Sequence, residues 1–384
     1  MKHIEHRAPP PVEQRAVSPR RPLLVATAAA LVSLLLAASY EYATHAPSLR
    51  GISVEVVGGT SRVDAVSQRL SSTAPGSFTV ERVPSASAAT ARVADNCVDA
   101  ALILSASVSA ADRIVVAGAS GPTMVRAIVS ALSSALPDTG PEPVVTDVAA
   151  LSRNDQAGMS SFVFELGLLV PSVLGSVGLY LVGLRARLWW RVAGATLYAA
   201  LAALLGVLLL DAGFGALTGA PFEMFGIFAE ALTFVLIVAA LQASLGLPGT
   251  GLAALILLFV GNAASGGTTP PAMLPDFYRQ ISEWLPNSAV VRATKAAVYF
   301  EGHGIGQPLA ALALWSGAAM GVLIANDRLH LSERRRSPHD YLVIHATPGV
   351  AHLARRRRRS RHTPESETLA PRHSPTPERN GAQS

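Results

Sequence analysis

Charged side chains within long apolar runs are the residues of this sequence best placed to do chemistry. Glu230 lies inside the run Phe222–Leu245, in the stretch FGIFAEALTFVL, with apolar neighbours on both sides. An ionisable group inside a membrane is costly to bury and usually marks a functional site. Glu230 is therefore the first candidate, able to pair with a cation, carry protons or line a polar path. The structural alternative is a protonated or hydrogen-bonded glutamate that holds two helices together.

The other acidic residues of the apolar runs suggest no further site. Glu165, Asp211 and Glu223 lie near the ends of their runs, where the polar interface can solvate them, so we interpret them as boundary markers. The stretch VVGGTS lacks the spacing and the lysine of a phosphate-binding loop. Cys97 is the only cysteine, so no intrachain disulfide forms. The sequence predicts no catalytic residue, no metal site and no cofactor bound by this chain.

The elements that must position these residues are apolar helices. Half of the residues are hydrophobic and only 15% are charged. A hydrocarbon core of ~30 Å requires about 20 apolar residues in a helix. Six runs meet or approach that length, which predicts a multi-pass α-helical membrane protein with six transmembrane helices. The alternative is a set of core helices in a large soluble protein. The runs are Leu23–Ser39, Phe162–Leu184, Val192–Leu210, Phe222–Leu245, Leu247–Ala263 and Pro308–Ala325.

Basic residues indicate the orientation of these helices. They precede the first run, join the second to the third and follow the last, so six helices place them all on one side. The positive-inside rule then predicts cytoplasmic N- and C-termini in the plasma membrane. We expect the first helix, residues 22–42, to be retained as an anchor, because its apolar stretch exceeds the ~7–15 residues of a signal-peptide core. A cleaved signal peptide is the alternative.

Residues 43–158 form a soluble-looking insert between the first and second helices. Strand-like stretches such as GISVEVVGG and SFTVERV alternate with stretches of helical spacing such as VDAVSQRLSST and PTMVRAIVSALSSALP. This alternation predicts an α/β domain whose helices pack against a sheet. The predicted topology places that domain outside the cell.

Both ends of the chain are polar and rich in Pro and Arg. We expect residues 1–21 and 327–384 to be disordered cytoplasmic tails. The block Arg355–Arg359 predicts attraction to anionic membrane lipid, and the alternative is a solvated tail that only reinforces the topology. Nucleic-acid binding is not predicted, because no aromatic residues are interleaved with the arginines.

A polar interruption separates the fifth and sixth helices. The stretch SGGTTPPAMLPDFYRQISEWLP ends in a short amphipathic segment, with Phe277, Ile281 and Trp284 expected on one face together with Tyr278 and Leu285. Such a helix can lie flat at the membrane interface with its aromatic side in the acyl boundary. Within the second run, Pro171 predicts a helix kink, because it lacks a backbone N–H.

This interruption carries a family resemblance. The stretch GNAASGGTTPPAMLPDFYRQISEWLPNSAVVRATKAAVYFEG resembles the signature near the C-terminus of ABC-2-type membrane proteins, most of all their phage-infection-protein-like (Pip) and DUF3533-type branch found in actinobacteria. Segments of the insert, such as YATHAPSLRGISVEVVG and VVTDVAALSRNDQAGMSSF, also resemble that branch. The resemblance covers about residues 22–326.

The resemblance implies a transmembrane subunit of an exporter that moves a lipidic or amphipathic compound and is powered by a separate ATP-binding-cassette ATPase. Residues 160–326 would be a five-helix block, and segment 264–306 an extracellular gate. The subunit would contact membrane lipid and form a homodimer, or a heterodimer with a similar permease. The alternative is a non-transporting surface protein whose ectodomain binds or scaffolds a partner, and a membrane enzyme is the third class. Expected path or gate residues are Glu230, Gly266, Pro271, Pro275, Phe277, Trp284 and Pro286.

Overall fold

The computed structural model of the protein describes residues 20–107, 109–137, 140–183 and 187–336. Most of both predicted tails, including Arg355–Arg359, lies outside these residues. The predicted disorder is wrong where the tails adjoin the membrane helices. The first helix begins at Arg20, and the last helix continues to Arg336.

The described chain is mainly helical, with one group of strands near its start. The strands are β1 Ile52–Val57, β2 Phe78–Arg82, β3 Ala100–Ile103, β4 Arg113–Val116 and β5 Val144–Asp147. The helices are α1 Arg20–Thr44, α2 Thr60–Thr73, α3 Ala86–Ala94, α4 Pro122–Ala135, α5 Ser160–Gly183, α6 Leu188–Val207, α7 Pro221–Glu230, α8 Leu232–Leu245, α9 Leu247–Ala254, α10 Asp276–Ser282, α11 Pro286–Tyr299 and α12 Gly306–Arg336. Two π-helical segments, Leu208–Gly213 and Leu255–Gly261, continue α6 and α9 respectively.

The insert between α1 and α5 contains all five strands together with α2, α3 and α4. Its five strands form one mixed sheet of order β2-β1-β3-β4-β5, in which only the β3–β4 pair is antiparallel. Side chains alternate between the two faces of each strand. Ile52, Val54 and Val56 of β1 therefore pack against α2 and α4, whereas Ala101 and Val115 of β3 and β4 pack beneath α3. The alternating sequence pattern identified every one of these elements.

Five helical stretches of the described chain are long and apolar enough to cross a membrane. The sixth predicted span corresponds to a shorter apolar helix, Leu247–Gly261, which is below the length of the other five. Gly246, with φ of +72°, ends α8 immediately before it, and a turn begins at Ala264. The protein is therefore a multi-pass membrane protein with five candidate spans and one shorter apolar helix. The candidate spans are Ala26–Thr44, Ser160–Val182, Leu188–Gly213, Pro221–Leu245 and Gly306–Leu329.

The membrane helices share one apolar core. Residues of α5, α7, α8 and α11 meet there, and the largest buried side chains include Phe228, Phe234 and Leu169. By contrast, α1 has most of its leucines exposed, such as Leu34 at 65%. Lipid tails solvate such a surface as well as a protein interior does. We infer that α1 lies at the periphery of the block and faces lipid over much of its surface.

The segment between α9 and α12 joins the membrane helices to the α/β domain. The backbone N–H of Arg50 donates to the Ala272 carbonyl at 2.9 Å, and its guanidinium donates to the Leu274 carbonyl at 2.9 Å. Met273 enters the core on the α2/α4 side of the sheet, and Phe300 enters the core on the α3 side. The two ends of this segment therefore complete the domain from both faces.

Candidate functional site

Glu230, the first predicted site residue, lies at the C-terminal end of α7, where α8 begins two residues later. Its side chain lies outside the part of the chain that the structure describes. Its role as a path residue stays a prediction. Of the three supposed boundary residues, Glu223 is exposed and Asp211 is partly exposed in a π-helical segment, as expected for residues near helix ends.

The predicted gate residues occupy the turn and the two helices that follow the π segment Leu255–Gly261. Gly266 has φ of +78°, and a Cβ there would lie 2.9 Å from Cδ of Pro271, so this turn requires glycine. Pro275 precedes the first residue of α10, and Pro286 is the first residue of α11. The prolines therefore begin both helices at positions where no backbone N–H is needed.

The aromatic residues of α10 divide differently from the prediction. Phe277 and Trp284 are exposed at 58% and 56%, whereas Tyr278 and Leu285 are buried against the end of α1. The predicted single aromatic face is therefore wrong, because α10 packs against protein on one side. The Trp284 carbonyl accepts a hydrogen bond from Nε1 of Trp315 on α12 at 2.7 Å, which fixes the end of α10. The two exposed rings are the part of the predicted gate available to lipid or a ligand.

Pro171 lies within α5, which continues through it from Ser160 to Gly183. Because proline lacks an N–H, the fourth carbonyl before it receives no intrahelical bond from that position. The neighbouring hydroxyl of Ser172 donates to the Leu168 carbonyl at 2.6 Å. This side-chain bond satisfies one carbonyl of the same turn.

Glu165 corrects the sequence interpretation. The interpretation of Glu165 as a boundary residue solvated by the interface is wrong, because its side chain is fully buried in α5. Its Oε1 accepts a hydrogen bond from Nδ2 of Asn287 at 2.6 Å, and its Oε2 has no hydrogen-bond partner among the described residues. The start of α5 is covered by protein and not solvated. Phe162, near the start of this helix, packs against Gly267 in the turn that follows the π segment Leu255–Gly261.

Asn287 holds this carboxyl from the first turn of α11. It is fully buried, and its Nδ2 also donates to the Leu257 carbonyl at 3.3 Å in the π segment. Its amide oxygen lies against Gly261, where a Cβ would overlap it. Glycine at 261 is therefore the residue that lets α11 approach the π segment closely. The contact links three elements, α5, α11 and the π segment, around one carboxyl.

A second set of polar contacts lies beside the first. Nδ2 of Asn262 donates to the hydroxyl of Tyr40, and the Ser39 hydroxyl is 2.5 Å from that of Tyr278. The Tyr40 hydroxyl and the Glu165 carboxyl are near enough to interact electrostatically. The amide oxygen of Asn262 is buried without a hydrogen-bond partner in the described chain. These contacts join α1 to α10 and to the residue that follows the π segment.

An apolar groove ends at these polar groups. It has a volume of about 510 Å³ and lies between α1, α5 and the π segment. Its wall is hydrocarbon apart from a hydroxyl of α1 and the polar end formed by Tyr40 and Asn262. Most ligand sites have such a composition, in which a few polar groups orient a ligand held by apolar surface. The wall includes Leu36 and Ala37 of α1, Leu166 of α5, and Leu258 and Phe259 of the π segment.

Lys295 lies apart from the groove, on α11 near the α/β domain. Burial lowers the pKa of Lys295 to about 8, and the nearby Asp155 carboxylate acts in the opposite direction. Asp155 accepts backbone hydrogen bonds from Met159 and Ser160 and so caps the start of α5. Burial, aided by Asp155, raises the pKa of Tyr299 to about 12. This corner is an ionisable contact between α11 and the linker that enters α5.

Sequence reasoning missed the polar groups behind the groove. The available signal was the apolar context of Glu165, which has Phe164 before it and Leu166 after it. The position of Glu165 near the end of its apolar run wrongly suggested contact with solvent. The turn that contains Gly267 covers this end of α5, and it is far from Glu165 in sequence. Comparison of the chain with known protein families, with curated proteins and with solved structures finds no match.

Proposed function

We propose that this protein is the transmembrane subunit of an exporter that moves a lipidic or amphipathic compound and is powered by a separate ATPase. The observation that carries the proposal is the groove between α1, α5 and the π segment, whose lining is mainly apolar and includes the hydrogen-bonded pair Tyr40 and Asn262. A molecule with a hydrocarbon tail and a polar head matches that division. The ABC-2 resemblance of the segment around Gly266–Trp284 supports the same reading.

The proposed topology places the α/β domain outside the cell and both termini in the cytoplasm of a plasma-membrane protein. The segment Ser265–Pro286 then lies on the outer side, between the short apolar helix and α12. Because Met273 of this segment packs in the domain core, movement of the domain would move the proposed gate. The proposed dimerisation with a second permease and the contact with an ATPase belong to the same reading.

The direct test for the separate ATPase is purification of the tagged full chain in mild detergent. Mass spectrometry then identifies the proteins that are purified with it. The proposal expects a protein with an ATP-binding cassette in near-equal amount. Its reproducible absence, with the chain still folded, would contradict an ATP-driven exporter.

The groove has a test of its own, which uses one substitution at two positions of α5. Leu166→Trp would fill the groove, whereas Leu174→Trp changes a residue that is 67% exposed on the same helix. Accumulation of a fluorescent amphipathic dye in cells should rise with the first variant and stay at the wild-type value with the second. Equal accumulation in all three strains, at matched protein levels, would remove the groove from the transport path.

A non-transporting surface protein is the second candidate, and one observation favours it. Strand β5 is an edge of the sheet, and its Val144 and Val145 are 55% and 47% exposed. Exposed apolar edges are templates for pairing with another chain. Val145→Lys should abolish partner capture by a scaffold and leave dye export unchanged in a transporter.

A further inference from the structure

A buried carboxyl lies next to the polar end of the groove. Glu165 is fully buried and immediately precedes Leu166, which lines the groove. Asn287 occupies one carboxyl oxygen, and the other, Oε2, has no hydrogen-bond partner among the described residues. Tyr40, a residue of the polar end, is within electrostatic range of this carboxyl. The site therefore combines a cavity with an unpartnered acceptor on α5, the helix that forms one wall of that cavity.

No positive side chain compensates this carboxyl in the described part of the chain, where none of the salt bridges includes Glu165. A buried carboxylate without a positive partner is costly. Intramembrane carboxylates therefore tend to pair with one another, carry protons or serve as the counter-ions of ligands. An adjoining groove that accepts a hydrocarbon tail favours the last of these roles.

We propose that the groove binds a cationic amphiphile, a molecule with an ammonium-type head and a hydrocarbon tail. The head pairs with Oε2 of Glu165, and the tail lies along Leu36, Leu258 and Phe259. An anionic head gains no such ion pair, because a carboxyl group offers it no positive charge. This inference rests on the proposed function, since it names the substrate class of that groove.

The test measures binding of radiolabelled dodecyltrimethylammonium to the full chain in lipid nanodiscs, with empty nanodiscs as the blank. Dodecanol is the uncharged probe of matched chain length. The wild-type chain should bind the ammonium probe at least tenfold more tightly than dodecanol. Glu165→Gln, which keeps the size of the side chain and an oxygen for Asn287, should remove that preference and retain dodecanol binding.

Two control variants separate the charge from the groove. Glu223→Gln changes an exposed glutamate of α7 and should leave binding of both probes unchanged. Leu166→Trp should weaken binding of both probes, because it fills the groove. Thermal unfolding of each variant shows whether it is folded.

The preference of the wild-type chain decides the matter even if Glu165→Gln fails to fold. Equal binding of both probes to the wild-type chain would overturn the cationic substrate, and so would a preference that survives Glu165→Gln. In either case, if the wild-type chain binds dodecanol and Leu166→Trp blocks that binding, the groove would still be supported as a binding site. Binding of neither probe above the blank would overturn both the groove and the inference.

Discussion

At the scale of single residues, the π segment and α11 depend on side chains that face each other across very short distances. Asn287 contributes two amide hydrogens, one to Glu165 and one to a backbone carbonyl, and its oxygen rests on Gly261. Interiors are packed as densely as organic crystals, so even one added methyl group must displace a neighbour. Disrupting the contact between Asn287 and Gly261 should therefore lower the free energy of unfolding by a measurable amount.

Gly261→Ala should destabilise the protein by about 1–3 kcal/mol, because the new methyl group overlaps Asn287. Gly251→Ala is the matched control in the same apolar helix, where a Cβ meets open space. That variant should be neutral or more stable by up to about 1 kcal/mol, since alanine favours helix. Thermal unfolding in detergent gives both values, and equal effects of the two variants would show that the Asn287 contact is unimportant.

Lys295 predicts a pH dependence of stability. Its pKa is about 8 in the folded chain against 10.5 for the free side chain. Between pH 8 and 10 the unfolded chain therefore binds more protons than the folded chain, so the free energy of unfolding rises with pH. Above pH 10 Tyr299 acts in the opposite direction, because its pKa of about 12 lets only the unfolded chain lose that proton.

The measurement is the midpoint of thermal unfolding from pH 7 to pH 10, in the wild-type chain and in Lys295→Met. The wild-type midpoint should rise across pH 8–10, and the variant should lack that rise while being more stable at pH 7. A variant with the wild-type profile would assign the pH dependence to another group.

At the scale of elements, the sequence predicted what local patterns determine. Alternation in SFTVERV identified a strand that is β2, and helical spacing at Val63, Val66 and Leu70 identified α2. The burial of Glu165 could not be predicted this way, because its partner Asn287 is 122 residues away. The apolar run Leu247–Ala263 predicted a sixth span, but its helix is shorter than the five candidate spans.

The sequence pattern also could not predict which side chains of α10 are buried. Helical spacing showed that the segment is amphipathic, but not that the end of α1 covers it. Tyr278 is buried there, whereas the adjacent Phe277 is exposed. Only the tertiary contact distinguishes these two aromatic neighbours.

Phe300 tests how α11 supports the α/β domain. It is 3% exposed in the core beneath α3, so Phe300→Ala should cost about 3–5 kcal/mol. Phe277→Ala, the matched control, removes an exposed ring and should change stability by less than about 0.5 kcal/mol. Hydrogen exchange of the full chain should accelerate in β3, β4 and α11 only for Phe300→Ala. Acceleration confined to α11 would show that the domain does not depend on this side chain.

At the scale of the whole molecule, four of the five candidate spans and the shorter apolar helix share one core among the described residues, and the first span, α1, does not. Ser152 and Asn154 of the linker into α5 donate hydrogen bonds to the Gly215 carbonyl, on the turn that follows α6. The domain therefore contacts the helices through its linker as well as through segment 265–305. Such contacts place the domain and this turn on the same side of the membrane.

The proposed orientation can be tested with the cysteine that the chain already has. Cys97 is exposed between α3 and β3, so a membrane-impermeant maleimide should label it on intact cells. In a Cys97→Ser background, Arg187→Cys lies before α6 and should be labelled only after permeabilisation. The reverse pattern would place the α/β domain in the cytoplasm, and Cys97→Ser alone should give no signal.

The docking of Met273 and Phe300 into opposite faces of the sheet has a practical consequence. A fragment of residues 43–158 produced by itself would lack Met273 in one of its two cores and Phe300 in the other, leaving a cavity on either side of the sheet. The α/β domain is therefore continuous in sequence, but we do not expect it to fold fully without the segment that follows α9. Deleting the domain would likewise expose the segment that follows Gly266, which packs against it. Deletion of the domain and mutations in the proposed gate would therefore produce the same phenotype.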